Sequence, residues 1–156
     1  MDAIPILVFS LLLGLPFAAG EGGSGRAAGA FDVTLTPLPA EGKDGNPAIP
    51  RFAIEKHYHG DLDATASAEM LTSGSGQSSG AYVAIENVRG TLSGRKGSFA
   101  LQHSGTVDRG TQSLSISVVP GSGTGELSGL SGRMSIRIEK DGKHFYELEY
   151  SIAPRP

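Results

Sequence analysis

From Phe31 onward, apolar and polar residues alternate with a period of two, and glycine breaks the alternation repeatedly. That is the pattern of short strands joined by tight turns. Phe31, Val33 and Leu35 alternate with Asp32 and Thr34 until Pro37 and Pro39 end the segment. In residues 51–59, Phe52, Ile54 and Tyr58 oppose Arg51, Glu55, His57 and His59. After Gly60-Asp61, Leu62, Ala64, Ala66, Ala68 and Met70 share a face against Asp63, Thr65, Ser67 and Glu69. Residues 81–88 are mixed, with Ala81, Val83 and Ile85 on one side and Tyr82, Ala84, Glu86 and Val88 on the other. That mixture predicts a strand partly covered on both faces. Residues 90–97 predict a turn. Beyond it Phe99, Leu101, His103, Gly105 and Val107 share one face, and Leu114, Ile116 and Val118 alternate with serines. Residues 120–132 are too rich in glycine for a long strand and allow at most a short one at 125–127. Residues 133–139 and 144–152 are two further strands about an Asp141-Gly142 hairpin turn.

The pattern amounts to about eight strands, mostly hairpin-connected, with no convincing helical period. An open sheet of that length would expose its edges, so the expected fold is all-β: an antiparallel closed or nearly closed barrel over residues 31–152, with a short tail at 153–156. The 156 residues suffice for one domain, and 23 glycines and 9 prolines argue against a helical protein. The absence of cysteine excludes disulfides, thiolate nucleophiles and cysteine-bound metals. A net charge of -3 with 13 scattered Lys and Arg residues offers no footprint for a phosphate backbone, so nucleic acid is not an expected partner.

Residues 4–18 form an uncharged apolar run, shorter than the ~20 residues a bilayer span needs. Ala18, Ala19 and Gly20 suit cleavage by an export peptidase, although Met1-Asp2 lacks the usual positive start. The expectation is a signal peptide at 1–20 and a periplasmic or secreted bacterial protein with no stable membrane span once the signal is cleaved. A retained anchor and a start assigned too far downstream are the alternatives. Residues 21–30 (EGGSGRAAGA) have no periodicity and are expected to be a flexible leader.

His57 and His59, two apart on one strand face, are a weak candidate metal pair that needs a third ligand from another strand. Otherwise they are two histidines on a solvated or partner-facing strand. His103 shares a face with Phe99 and Leu101, so it is expected inside, either as a satisfied core histidine or as a general acid or base. His144 and Tyr146 share a face on the last strand. Glu69 and Glu86 are expected to be solvated if the alanine and Ile85 sides face inward; a bulge would reverse this and make a buried glutamate a candidate acid or base. Residues 121–127 (GSGTGEL) lack the Lys-Ser/Thr pair and setting of a phosphate loop, and no serine has the setting of a nucleophile elbow. No cofactor is expected.

The segments HGDL (59–62), AEML (68–71), AYVAIENVRGTLSGRKGSFALQHSGTVDRG (81–110), SGTGELSGLSGRM (122–134) and KHFYELEY (143–150), in this order, resemble a bacterial family, domain-of-unknown-function family 3224. The resemblance runs from about Phe31 to Ile152. It implies a barrel of about eight strands similar in shape to plant allene oxide cyclase, and it supplies no activity. Allene oxide cyclases bind an unstable fatty-acid epoxide in an apolar cavity. None of their catalytic residues is matched here, so that chemistry would transfer by fold analogy alone.

Three functions remain. The first is a barrel binding a small apolar or amphipathic molecule, lined by Phe99, Leu101, His103, Leu114, Ile116, Met134, Ile136 and Tyr146. The second is a cyclase or isomerase in the same cavity, with His103 and Tyr146 or Glu69 as candidate catalytic residues. The third is a noncatalytic homo-oligomerising module that uses the face around Glu55, His57 and His59.

Overall fold

The computed structural model describes residues 22–43, 45–75 and 78–154; the expected signal peptide lies outside them. Eight strands, β1 (Gly23–Leu38), β2 (Arg51–Gly60), β3 (Leu62–Gly74), β4 (Ser79–Leu92), β5 (Arg95–Asp108), β6 (Thr111–Val118), β7 (Leu130–Ile138) and β8 (His144–Ile152), pair in chain order. Antiparallel pairing of β8 with β1 closes the barrel. Closure gives every strand a partner on both sides, most sparsely between β6 and β7.

Two of the hairpins are as tight as a hairpin can be. Ser93-Gly94 and Arg109-Gly110 form two-residue turns with positive φ at both positions (47° and 81°; 49° and 82°). Such turns match the twist of the strands they join. The 90–97 segment is therefore mostly strand, with only Ser93 and Gly94 in the turn.

The structure corrects two further expectations about element boundaries. Strand β1 begins at Gly23, within the segment read as a flexible leader, and residues 23–31 pair with 144–152 of β8. A run of glycine and alanine carries no alternation signal, but its smallness has a use. A Cβ at Gly29 would lie 1.9 Å from the His59 carbonyl oxygen and 2.9 Å from the Tyr146 hydroxyl, so only glycine lets β1 pass there. Gly125–Leu127 is a turn of 3₁₀ helix, not a short strand. Its surroundings run along β5, where Val119 N–H donates to Ala100 O (2.9 Å) and Thr124 N–H to Ser98 O (2.8 Å).

That turn drives Leu127, which has no exposed surface, into the interior with Leu62, Leu92, Leu130 and Ile152. This is the closed end of the barrel, and full burial of each leucine is worth about 1.5–3 kcal/mol. At the opposite end, side chains in the inward phase of their strands are open to solvent: Leu35 is 50%, Leu114 44% and Ile138 62% exposed. The outer wall is polar at Asp63, Thr65, Ser67, Glu69, Ser113, Ser115, Glu147 and Glu149, all exposed. A barrel that spans a membrane carries an apolar band there instead. Among the described residues, no helix is long and apolar enough to cross a membrane.

Candidate functional site

Lys56 lies in phase with Ile54 and Tyr58 on β2, and Glu86 in phase with Ala84 and Val88 on β4. Because strand side chains alternate between faces, both charged groups point into the barrel. They meet there. Lys56 Nζ donates to Glu86 Oε2 at 2.6 Å and the Tyr58 hydroxyl donates to Glu86 Oε1 at 2.7 Å. Lys56 also reaches the Tyr58 hydroxyl at 3.2 Å. From β5, His103 Nε2 comes within 2.9 Å of Glu86 Oε2. That contact has the length of a hydrogen bond without full alignment, so Nε2 has no well-aligned hydrogen-bond partner among the described residues.

The cluster is nearly shut off from solvent, with side-chain exposures of 7% for Lys56, 1% for Glu86 and 6% for His103. Burial pushes the Glu86 carboxyl upward, but His103, Lys56 and the Tyr58 hydroxyl outweigh it and hold the group below its ordinary value. Glu86 is thus an anion inside the barrel. Burial, followed by the charge of Glu86, drives the Tyr58 phenol far above its ordinary value. An ion pair held out of water gains little net stability over an apolar replacement, which makes such a group a marker of function.

Small residues flank the cluster. Ala68 pairs with Glu86, Ala84 pairs with His103, and Gly105 follows His103 on the same face of β5. The half-buried Tyr82 ring lies across Gly105, where an added Cβ would sit 2.2 Å from a ring carbon. Val33, Phe52, Met70 and Ile136, each half-buried, continue the inner wall toward the open end.

The residues singled out in the sequence fall into separate places. Phe99 and Leu101 are buried core residues, and Ile116 and Met134 are buried beside the cluster. Ile116 pairs with His103, and Met134 Sδ lies 3.9 Å from the Tyr58 hydroxyl. Leu114 and Ile136 belong to the open end. Tyr146 is buried, but its hydroxyl accepts from Leu62 N–H (2.9 Å) and donates to the His59 carbonyl (3.2 Å). It pins strands together and meets Tyr58 edge to face at 5.3 Å. Glu69 is exposed on the outer wall and pairs with Arg51 at 2.8 Å, so it is not within the barrel to serve as an acid or base there.

His57 and His59 are also exposed outside, with rings 4.3 Å apart and His59 Nε2 2.9 Å from Asp32. Among the described residues, no group of three metal-ligating side chains forms. The expectation that Glu86 is solvated is overturned. Val83 and Ile85 are 52% and 50% exposed on the outer wall, and the opposite face of β4 points inward.

Lys56 and Tyr58 were not among the candidate residues, and Glu86 was one only if a bulge turned it inward. Lys56 had a usable signal, its phase with Ile54 and Tyr58. Glu86 had none that outweighed the larger apolar side chains of Val83 and Ile85 on the other face.

Residues 27–150 match the family described as "Protein of unknown function (DUF3224)". Among solved structures, the chain is similar to a protein of unknown function from that family from Shewanella oneidensis MR-1. Identity is 44%, 85% of this chain and all of the other are covered, and the TM-score is 0.76. No curated protein matches the chain.

Proposed function

The chain belongs to the family of proteins of unknown function DUF3224, and we propose that this member binds a small amphipathic molecule at the open end of its barrel. The apolar part rests on Val33, Leu35, Phe52, Met70, Leu114 and Ile136. The polar part engages Lys56 and His103 of the buried cluster. One observation carries this reading: inward-phase apolar side chains stand open to solvent at the same end toward which a buried ionised cluster is flanked by Ala68, Ala84 and Gly105. Pockets that combine apolar walls with a few convergent polar groups are the usual form of small-molecule sites. The likeness to allene oxide cyclase is supported by the closed eight-stranded barrel alone and lends this reading no catalytic residue.

Titration with the amphiphilic dye 1-anilinonaphthalene-8-sulfonate tests it. Saturable binding is expected, weakened about tenfold by Leu114→Asp. Absence of saturable binding, or full binding in that variant, overturns the reading.

A second reading is proton transfer to or from the bound molecule by His103. It is favoured by the His103 ring nitrogen held 2.9 Å from the Glu86 carboxylate inside the barrel, since carboxylates commonly orient a working imidazole. Export is supported by the apolar run at 4–18 and the small residues after it. Cleavage after Ala19 or Gly20 would leave β1 intact, and the intact mass of the exported protein tests this.

A further inference from the structure

The barrel is not closed equally well all round. β4 and β5 share fourteen residue pairs and β3 and β4 thirteen, and even β2–β3 and β5–β6 have eight each. β6 and β7 share two: Ile116 with Met134 and Ser117 with Arg133. Toward the open end, continued register would place Leu114 opposite Ile136, but no pairing forms there and Leu114 is 44% exposed.

The composition of this seam explains its weakness. Three of the outward positions of β6 are Ser113, Ser115 and Ser117, which supply little cross-strand packing. The connection from β6 to β7 leaves the seam and fastens to β5 instead. There Lys96 N–H donates to Glu126 (2.8 Å) and Ala100 N–H to Ser122 Oγ (3.0 Å). β6 and β7 can therefore part without disturbing the sealed end, because their link is anchored on a neighbouring strand.

What lies behind the seam gives it meaning. Ile116 is the cross-strand neighbour of His103, and Met134 touches Tyr58. The two side chains that knit the seam are both buried and stand directly beside the buried cluster. The cluster itself is covered, with Glu86 only 1% exposed. We infer that the β6–β7 seam is a lateral gate whose parting between Ile116 and Met134 admits the polar part of a ligand to His103 and Lys56. This rests on the ligand-binding reading above. Segments with few ladder bonds and exposed flanks open with the smallest free energy in a fold, and gates are drawn from them.

The chain has no cysteine, so a single engineered disulfide reports cleanly. The full chain carrying Ser117→Cys and Arg133→Cys places a bridge across the seam on its outer side. A bridge between Thr65→Cys and Arg89→Cys, across β3–β4, is the control. Two measurements are made in oxidised and reduced forms.

Hydrogen exchange needs no ligand. Amides of 113–117 and 133–136 are expected to exchange at least ~10-fold faster than those of β3 and β4, and oxidation of the seam pair alone should slow them. Protection at the seam equal to that of β3 and β4 overturns the gate. Stopped-flow mixing with 1-anilinonaphthalene-8-sulfonate should show association slowed ~10-fold or more by the seam disulfide and restored by reduction. Dye entry equally fast in both forms also overturns the gate, with the ligand-binding reading intact. If the dye binds none of the proteins, the ligand-binding reading falls, and hydrogen exchange still decides whether the seam opens.

Discussion

The two ends of the barrel are built from similar inward-facing residues and put to different use. At the closed end Leu62, Leu92, Leu127, Leu130 and Ile152 are 0–7% exposed, because the 3₁₀ turn at Gly125–Leu127 inserts a leucine as a stopper. At the open end Leu35, Leu114 and Ile138 occupy the same phase of their strands and remain 44–62% exposed. Between the two lies a layer of charge. Alternation places a side chain inside or outside a sheet, but burial also needs something to cap the barrel. Among the described residues one end has a cap and the other has none, so apolar side chains are buried at the first and stay open to solvent at the second.

The severest test of the comparison is its middle layer. Glu86→Ala removes the acceptor of Lys56 and of the Tyr58 hydroxyl and leaves a buried cation unpaired, so a loss of about 3–5 kcal/mol is expected in urea unfolding. Replacing both partners, as Lys56→Met with Glu86→Leu, should recover most of that loss while weakening dye binding. A single variant as stable as the parent would show that the cluster is not a buried ion pair.

Next comes the stopper. Leu127→Ala should cost about 2–5 kcal/mol, through lost burial and the cavity left behind. A cost near zero would mean that the two ends do not differ in packing.

The acid side of the stability curve gives a third test. The Glu86 carboxyl is held below its ordinary value of 4.5 in the folded protein. The stability it contributes is therefore fully present above pH 4.5 and is lost as pH falls through the lower, folded value. Glu86→Gln should flatten that part of a pH series of chemical denaturation curves; an unchanged slope would refute the assignment.

The smallest effect is expected at the rim. Leu35→Ser should change stability by no more than about 0.5 kcal/mol. A large loss there would show that the open end is packed after all.

Much of the fold was legible in the sequence. Period-two runs marked the strands and glycine-containing pairs marked their turns, since both signals are local. The site was legible only in part. His103 was placed inside by its phase with Phe99 and Leu101, and Lys56 could have been placed by the same rule. Glu69 and Glu86, read alike in sequence, separate in space because neighbouring strands turn opposite choices of face toward the interior. On β3 the alanines point inward and carry Glu69 outside, whereas on β4 Tyr82, Ala84 and Val88 point inward and carry Glu86 with them.

By itself, then, the sequence determined an antiparallel all-β domain, its turns, and the absence of any thiol chemistry, because each of these depends on neighbouring residues or on composition. The tertiary structure alone decided which end of the barrel is stoppered, that Lys56, Tyr58, Glu86 and His103 converge, and that β6 and β7 are barely joined. Residues as far apart in the chain as Lys56 and His103 can neutralise and orient one Glu86 carboxylate only after closure has brought three strands to the same depth, and no local pattern encodes that depth.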